Sequence, residues 1–306
     1  MNDGSGSSDE LPLFRCFHVF RRHTIRNKSS PTIPKRSGSM NNSIGIDAGG
    51  SLLKIAYEEN GRLHFRKQPN SEMDGALQWL KIISLNKTIY LTGGKAGTIK
   101  ANYFPEAKVV DEFSAVCEGS RYLKMKEAMS VSDPYILVNI GTGTSWFTID
   151  GEQYERVLGS GIGGGTFMGL GKMFTEADAF SDLVSLAAEG DKGNVDLLVK
   201  DIYHPEKPPI HGELTASNFA KSQGITSSSP ADKMASLNNM IAETLTLLTV
   251  QAASLHNIKQ AVFIGSTLAG NQLLRENLET YCKMSGIDPV FLEHGEFSGA
   301  IGAMLT

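Results

Sequence analysis

From position 41 onward, short runs that alternate apolar and polar residues give way to stretches with apolar residues at helical spacing, and the two rhythms take turns along the chain. Strands are predicted over 43–47, 52–58 and 62–67, the last two joined by Glu59-Asn60-Gly61, a turn signal. A helix over 73–84 follows from the spacing of Leu77, Leu80 and Ile83. A strand over 88–92 ends in Gly93-Gly94, with a helix starting near Lys95. A short strand over 108–111 precedes a helix over 114–129, with Ser114 as its N-cap. The pattern then begins again. Strands over 135–140, 145–149 and 153–158 are broken by Gly141-Thr142-Gly143-Thr144 and by Asp150-Gly151. Helices are predicted over 165–175 and 179–189. Residues 190–230, rich in Pro, Gly and Ser, read as mostly irregular. A long helix over 231–256, a strand over 260–264, a helix over 268–284, a strand over 289–292 and a helix over 296–305 complete the chain. Strand, glycine-bearing hairpin, strand, turn, strand thus occurs twice, which predicts two α/β halves, 41–131 and 132–306.

Residues 1–40 share none of this rhythm and read as a disordered or appended leader, with Met40 compatible as a start. They carry seven basic and three acidic residues, so the remainder of a chain of net charge −4 is near −8. An acidic body argues against nucleic acid or an anionic membrane as the main partner. With 306 residues, 41% hydrophobic and 20% charged, the chain is globular and long enough for one large or two medium domains. No apolar run approaches the ~20 residues of a membrane span. Cys16, Cys117 and Cys282 are widely spaced, so neither a disulfide framework nor a zinc site is expected, and a reducing, cytoplasmic setting is the default.

The first hairpin, NSIGIDAGGSLLK, sets Asp47 at the end of a strand, then two glycines, then Ser51 and Lys54. Main-chain N–H groups in such a turn cradle phosphate oxygens, and Asp47 is placed to hold Mg²⁺ through water. Ser51 and Lys54 reach toward β- and γ-phosphates. An ordinary hairpin uses the same residues, so the second one matters. Asn139–Ser145, NIGTGTS, offers further N–H and O–H donors, and two such turns facing each other would clamp a triphosphate. The stretch 159–171 has seven glycines in thirteen residues, opening a helix suited to phosphate or ribose contact. Close helix packing is the competing explanation for these glycines. Its spacing is not that of a dinucleotide fingerprint. AVFIGSTL at 261–268 runs a buried strand into Gly-Ser-Thr at a helix start, where Gly265 and Ser266 are candidates to lie under an adenine or ribose, although an ordinary strand-to-helix turn uses the same residues. Glu112, after the strand at 108–111, is a candidate general base, with Asp111, Glu118 and Glu155 as local competitors. Arg156 is suited to a bidentate grip on a carboxylate, or to a surface ion pair.

These motifs together resemble the acetate-kinase/sugar-kinase/Hsp70/actin superfamily. GIDAGGSLLK, LTGGKAG, NIGTGTS, GGGTFMGLG, Pro208-Pro209 with Leu214–Phe219, IGSTL and GEFSGAIGA resemble, in that order, the type II pantothenate kinases of Gram-positive bacteria. The resemblance implies a two-domain actin-like, ribonuclease H-like ATPase fold, each half a mixed five-stranded sheet flanked by helices. It implies phosphorylation of pantothenate by ATP and Mg²⁺, the first step of coenzyme A synthesis, in a homodimer. Carried over by position, Asp47, Ala48, Gly49, Gly50, Ser51, Leu52, Leu53 and Lys54 form the ATP phosphate loop. Glu112 is the catalytic base. Thr142, Gly164, Gly165, Thr166, Phe167, Met168, Phe180 and Ser266 bind nucleotide, and Ser145 and Arg156 contact pantothenate. Met168 and Phe180 stand where some members carry polar or phenolic groups.

Two other functions compete. Another kinase of the superfamily, such as an N-acetylhexosamine kinase, would share the fold, although the zinc-binding His/Cys cluster of one sugar-kinase group has no counterpart here. A nucleotide-gated binding module would bind ATP without transferring its phosphoryl group.

Overall fold

The computed structural model describes residues 40–127, 129, 131, 133–221 and 227–306; the leader expected over 1–40 lies, but for Met40, outside them. Strand alternation decides the layering. On β1 (Ser43–Ala48), Ile44, Ile46 and Ala48 point to one face of a sheet and Gly45 and Asp47 to the other. β1 pairs antiparallel with β2 (Leu52–Glu59), which pairs antiparallel with β3 (Arg62–Pro69). On its other side β1 pairs parallel with β4 (Thr88–Thr92), and β4 with β5 (Lys108–Val109). The order is β3-β2-β1-β4-β5. Helices α1 (Met73–Ile83) and α2 (Ala96–Asn102) cover the Ile44 face, burying Leu77, Leu80 and Ile99 against it.

The second sheet repeats the plan. β6 (Tyr135–Ile140), β7 (Thr144–Asp150) and β8 (Gln153–Ser160) form the meander, and β11 (Gln260–Ile264) and β12 (Asp288–Phe291) add parallel strands, in the order β12-β11-β6-β7-β8. Two mixed five-stranded sheets flanked by helices are the arrangement that the family resemblance implies. The outer face of the second sheet packs on α4 (Gly164–Phe174), α5 (Phe180–Glu189), α7 (Pro230–Leu255) and α8 (Gln272–Met284). Buried Trp146 joins sheet to helix there, its indole N–H donating to Thr249 Oγ1 at 2.8 Å. Ser229 caps α7 by accepting from Asp232 N at 3.1 Å, and Pro230 takes the first helical position, where an N–H would lack a partner.

Between the sheets lie α3 (Glu112–Lys126) and the last helix, α9 (Ser298–Leu305), packed with Tyr135, Leu137, Phe147, Val262 and Ile264. Their approach is backbone to backbone. A Cβ on Gly302 would stand 1.7 Å from Ala115 O, one on Gly119 1.8 Å from Ser298 O, and one on Gly45 of β1 1.8 Å from Ala300 O. No side chain fits at those crossings.

Several boundaries differ from expectation for identifiable reasons. α3 begins at Glu112, not at 114, because Asp111 is its N-cap and accepts from Ser114 N at 2.8 Å; Ser114 is already helical. α8 begins at Gln272, with Asn271 accepting from Leu274 N at 3.1 Å, so residues 268–270 belong to the preceding turn. Residues 190–221 hold a 3-10 turn (Lys192–Asn194), β9 (Leu197–Leu198), α6 (Val199–Tyr203) and β10 (Thr215–Ser217). Polar side chains organise this segment where hydrophobic periodicity is weak. Lys192 Nζ donates to Asn239 Oδ1 at 3.1 Å and Tyr281 OH at 3.0 Å, while buried Asp196 accepts from Phe219 N at 2.8 Å and from Ser236 Oγ. Burial pushes the Asp196 carboxyl up; those hydrogen bonds pull it back.

The α3–α9 crossing yields a direct prediction. Gly302→Ala forces the two helices apart and destabilises the fold by about 1–3 kcal/mol or more, whereas Gly151→Ala, at a turn with open space around it, acts only through its positive φ. Denaturant unfolding of the two variants measures the difference.

Candidate functional site

Cross-strand register assembles the first part of the site. Asp47 and Lys54 are direct partners in the β1–β2 ladder, so their side chains share the face toward α9. Lys54 Nζ lies 3.2 Å from Asp47 Oδ2, with both side chains nearly buried. The carboxylate is fenced by two glycines. A Cβ on Gly93, at φ +88°, would stand 2.9 Å from Asp47 Oδ1, and one on Gly299 of α9 2.8 Å from Oδ2. Glu112 opens α3 beside this pair. Crowding by protein pushes its carboxyl above the ordinary range, and the Asp47 charge pushes it further. Lys54 pulls in the opposite direction, and Asp111 adds to the rise. Glu112 remains open to solvent, so the site holds a poised carboxylate at an accessible position.

The loop joining β1 and β2 meets the loop joining β6 and β7. Ser51 Oγ is 3.1 Å from Thr142 Oγ1, although the two residues are 91 positions apart. Each loop has its carbonyls tied back. Asn70 Nδ2 donates to Gly49 O at 3.1 Å and Gly50 O at 2.8 Å. Gly141 O accepts from Gly164 N and Thr267 Oγ1, both at 2.8 Å, and Thr142 O accepts from Gly165 N at 2.8 Å. The N–H groups of Gly50, Ser51, Thr142 and Gly143 have no partner among the described residues. Four main-chain donors therefore remain unpaired where the loops meet, an arrangement suited to an oligo-anion.

The glycine-rich stretch after β8 opens α4 against the second loop. Thr144 Oγ1 donates to Ile162 O at 2.7 Å, and Thr166 Oγ1 to Gly161 O at 3.0 Å. The turn after β11 closes on the same place through Thr267, whose N–H donates to Ile140 O at 3.1 Å. Ser266 beside it is half-buried. Thr142, Gly164, Gly165, Thr166 and Ser266 are thus brought together.

On the other wall, Arg156 of β8 has Nε and Nη2 each 3.4 Å from Ser145 Oγ, and its guanidinium lies 5.2 Å over the Phe113 ring. Gly159 permits this path, since a Cβ there would meet Arg156 Nη2 at 2.0 Å. Phe113 follows Glu112, so the arginine and serine stand near the poised carboxylate.

The side chains of Ala48, Leu53 and Phe167, all expected to touch nucleotide, are core residues at 0%, 1% and 1% exposure; what they can offer a ligand is main chain. Phe180 is half-buried and meets Phe167 edge-on at 5.6 Å, and Met168 packs on the same core. Leu52 is partly exposed at the loop's edge. Asn70, Thr267, Gly93 and Gly299 also shape the site, and Gly93 and Gly299 lie within the LTGGKAG and GEFSGAIGA motifs. Thr267 lay inside a recognised motif, but Asn70 had no signal beyond its place after β3.

Among known proteins, a family model described as Fumble matches residues 43–306. The chain is 40% identical over 263 residues to a type II pantothenate kinase of Oceanobacillus iheyensis, covering 86% of this chain and 98% of that protein. It is 41% identical over 271 residues to a type II pantothenate kinase of Bacillus anthracis, covering 87% and 98%. In structure it is similar to the activator of 2-hydroxyisocaproyl-CoA dehydratase from Clostridium difficile with bound ADPNP. The TM-score is 0.58 at 16% identity, covering 86% of this chain and 92% of that one, a likeness of fold.

The charges around Glu112 fix the direction of two titrations. Lys54→Met raises the Glu112 pKa and Asp111→Asn, which keeps a capping side chain, lowers it; carbon NMR of labelled glutamate carboxyls reads both. A carboxyl whose folded pKa exceeds its unfolded one loses stability as pH rises through that window. Glu112→Gln therefore raises the thermal midpoint at pH 7 and leaves it unchanged below pH about 4.

Proposed function

This chain belongs to the type II pantothenate kinases, the Fumble family, and from that premise we propose how its residues carry out the reaction. It phosphorylates pantothenate, the step that begins coenzyme A biosynthesis. The observation that carries the residue assignment is the meeting of two loops, each with free N–H groups, next to Asp47, Lys54 and Glu112.

ATP lies with its phosphates between the loops. Gly50 and Ser51, on the turn that Gly49 opens, hold the β- and γ-phosphates from one side together with Lys54, and Thr142 and Gly143 do so from the other, backed by Gly164–Thr166 at the start of α4. Ser266 and Phe180 border the nucleoside. Ser145 and Arg156 hold pantothenate, the guanidinium gripping its carboxylate. The primary hydroxyl then faces the γ-phosphorus and Glu112 together.

Glu112 accepts the hydroxyl proton as the oxygen attacks in line. The bond between the γ-phosphorus and the β–γ bridging oxygen breaks, ADP leaves, and 4'-phosphopantothenate forms. Lys54 and the loop N–H groups face the charge spread over the equatorial oxygens, so most of the catalysis is positioning and electrostatics. A raised pKa suits a base that must capture a proton and release it to solvent. Asp47 is the residue that fits Mg²⁺. Its near-buried carboxylate is a hard oxygen donor of the kind this ion takes, and it would hold the ion, directly or through water. When bound, the ion neutralises phosphate charge.

The same reading divides the chain at 131/132 into halves that close on ATP to exclude water, with the final helix packed back on the first half. It includes a cytoplasmic homodimer. Among the described residues no helix is long and apolar enough to cross a membrane.

Glu112→Gln tests the base directly. Turnover falls about 10²–10⁴-fold while calorimetric affinity for a non-hydrolysable ATP analogue is retained; loss of nucleotide binding together with unfolding would make Glu112 structural. Arg156→Ala raises KM for pantothenate and leaves KM for ATP unchanged.

A further inference from the structure

The loop between β1 and β2 is held from behind by Asn70. Its side-chain Nδ2 bonds the carbonyls of Gly49 and Gly50, and its main-chain N–H donates to Ser51 O at 3.0 Å, so one residue fastens three consecutive carbonyls. The two carbonyls dictate the amide's orientation. Turned over, it would set oxygen against oxygen, and as it stands Asn70 Oδ1 is buried with no partner.

A trans peptide plane points its C=O and N–H in opposite directions. Turning the Gly49 and Gly50 carbonyls toward Asn70 therefore turns the Gly50 and Ser51 N–H groups away from it, into the space where Ser51 meets Thr142. The second loop reaches the same state by other means. There the Gly141 and Thr142 carbonyls are held by the main chain opening α4 and by Thr267. In the first loop a single side chain takes that place, on a Gly-Gly segment with many alternative conformations.

We propose that Asn70 is a positioning residue for phosphoryl transfer: it orients the Gly50 and Ser51 N–H groups toward the terminal phosphates of the nucleotide. This rests on the reading of the Asp47–Lys54 segment as the phosphate loop. Asn70 itself touches neither substrate. Its effect falls on ligands that carry β- and γ-phosphates and spares those that end at the α-phosphate.

The test is calorimetry on the full chain with Mg²⁺ and, in turn, AMPPNP, ADP and AMP, for wild type, Asn70→Ala and the near-isosteric Asn70→Asp. Both variants lose about tenfold or more in AMPPNP affinity, as expected for losing one or two hydrogen bonds. ADP loses less and AMP nothing. In steady state KM for ATP rises and KM for pantothenate does not. Equal weakening of AMPPNP and AMP, or wild-type AMPPNP affinity in both variants, overturns the proposal. So does loss of cooperative unfolding together with all nucleotide binding, which makes Asn70 structural. A wild-type chain that binds AMPPNP no more tightly than AMP overturns the phosphate-loop reading itself, and shows this before any variant is made.

Discussion

Asp47 and Glu112 are carried by a strand and a helix that both press against α9, and they meet because α9 presents glycine where they cross it. Gly302 lets the backbone of α3 in at Ala115, Gly45 lets the backbone of α9 onto β1, and Gly299 leaves room for the Asp47 carboxylate. Close packing of this kind has no slack, since an added Cβ would fall well inside a van der Waals radius. The relative placement of the two carboxylates is therefore set by main-chain contacts and not by adjustable side chains, and with it the share of the Glu112 rise that the Asp47 charge adds to the larger effect of burial. The last helix in the sequence thus fixes residues from the first strand and the third helix.

The phosphate side obeys a second constraint. A loop that is to bind an anion must keep its N–H groups unpaired, and unpaired donors are costly once water leaves. Both loops meet this by spending their carbonyls on partners behind them, so that the donors have only one direction left. The β1–β2 loop uses Asn70 and the β6–β7 loop uses the start of α4 with Thr267. Ser51 and Thr142 then bring the two sets of donors to one place.

Much of this was legible in the sequence because it is written in local patterns. Strand alternation placed all five strands of each meander-and-crossover sheet within a residue or two, and the Gly-Gly and Gly-Thr-Gly hairpins marked both loops. What escaped depends on long-range partners. The start of α3 was read two residues late because Asp111 follows a β-branched pair and looks like a strand end; only its bond to Ser114 N shows it to be a cap. Residues 190–221 looked irregular because Lys192, Asp196, Asn239 and Tyr281, far apart in sequence, replace a hydrophobic period. Phe167 is expected at the nucleotide only through the family resemblance; its ring fills the core beneath α4, which leaves its main chain for a ligand. Asn70 carried no motif at all.

The central claim is that this site transfers the γ-phosphoryl group of ATP to pantothenate. A coupled assay of ADP release in Mg²⁺, offered pantothenate, N-acetylglucosamine, glucose or no acceptor, tests it most directly. The account predicts release that depends on pantothenate, with phosphopantothenate identified by mass. Release that required a sugar, or that proceeded slowly whatever the acceptor, would contradict it.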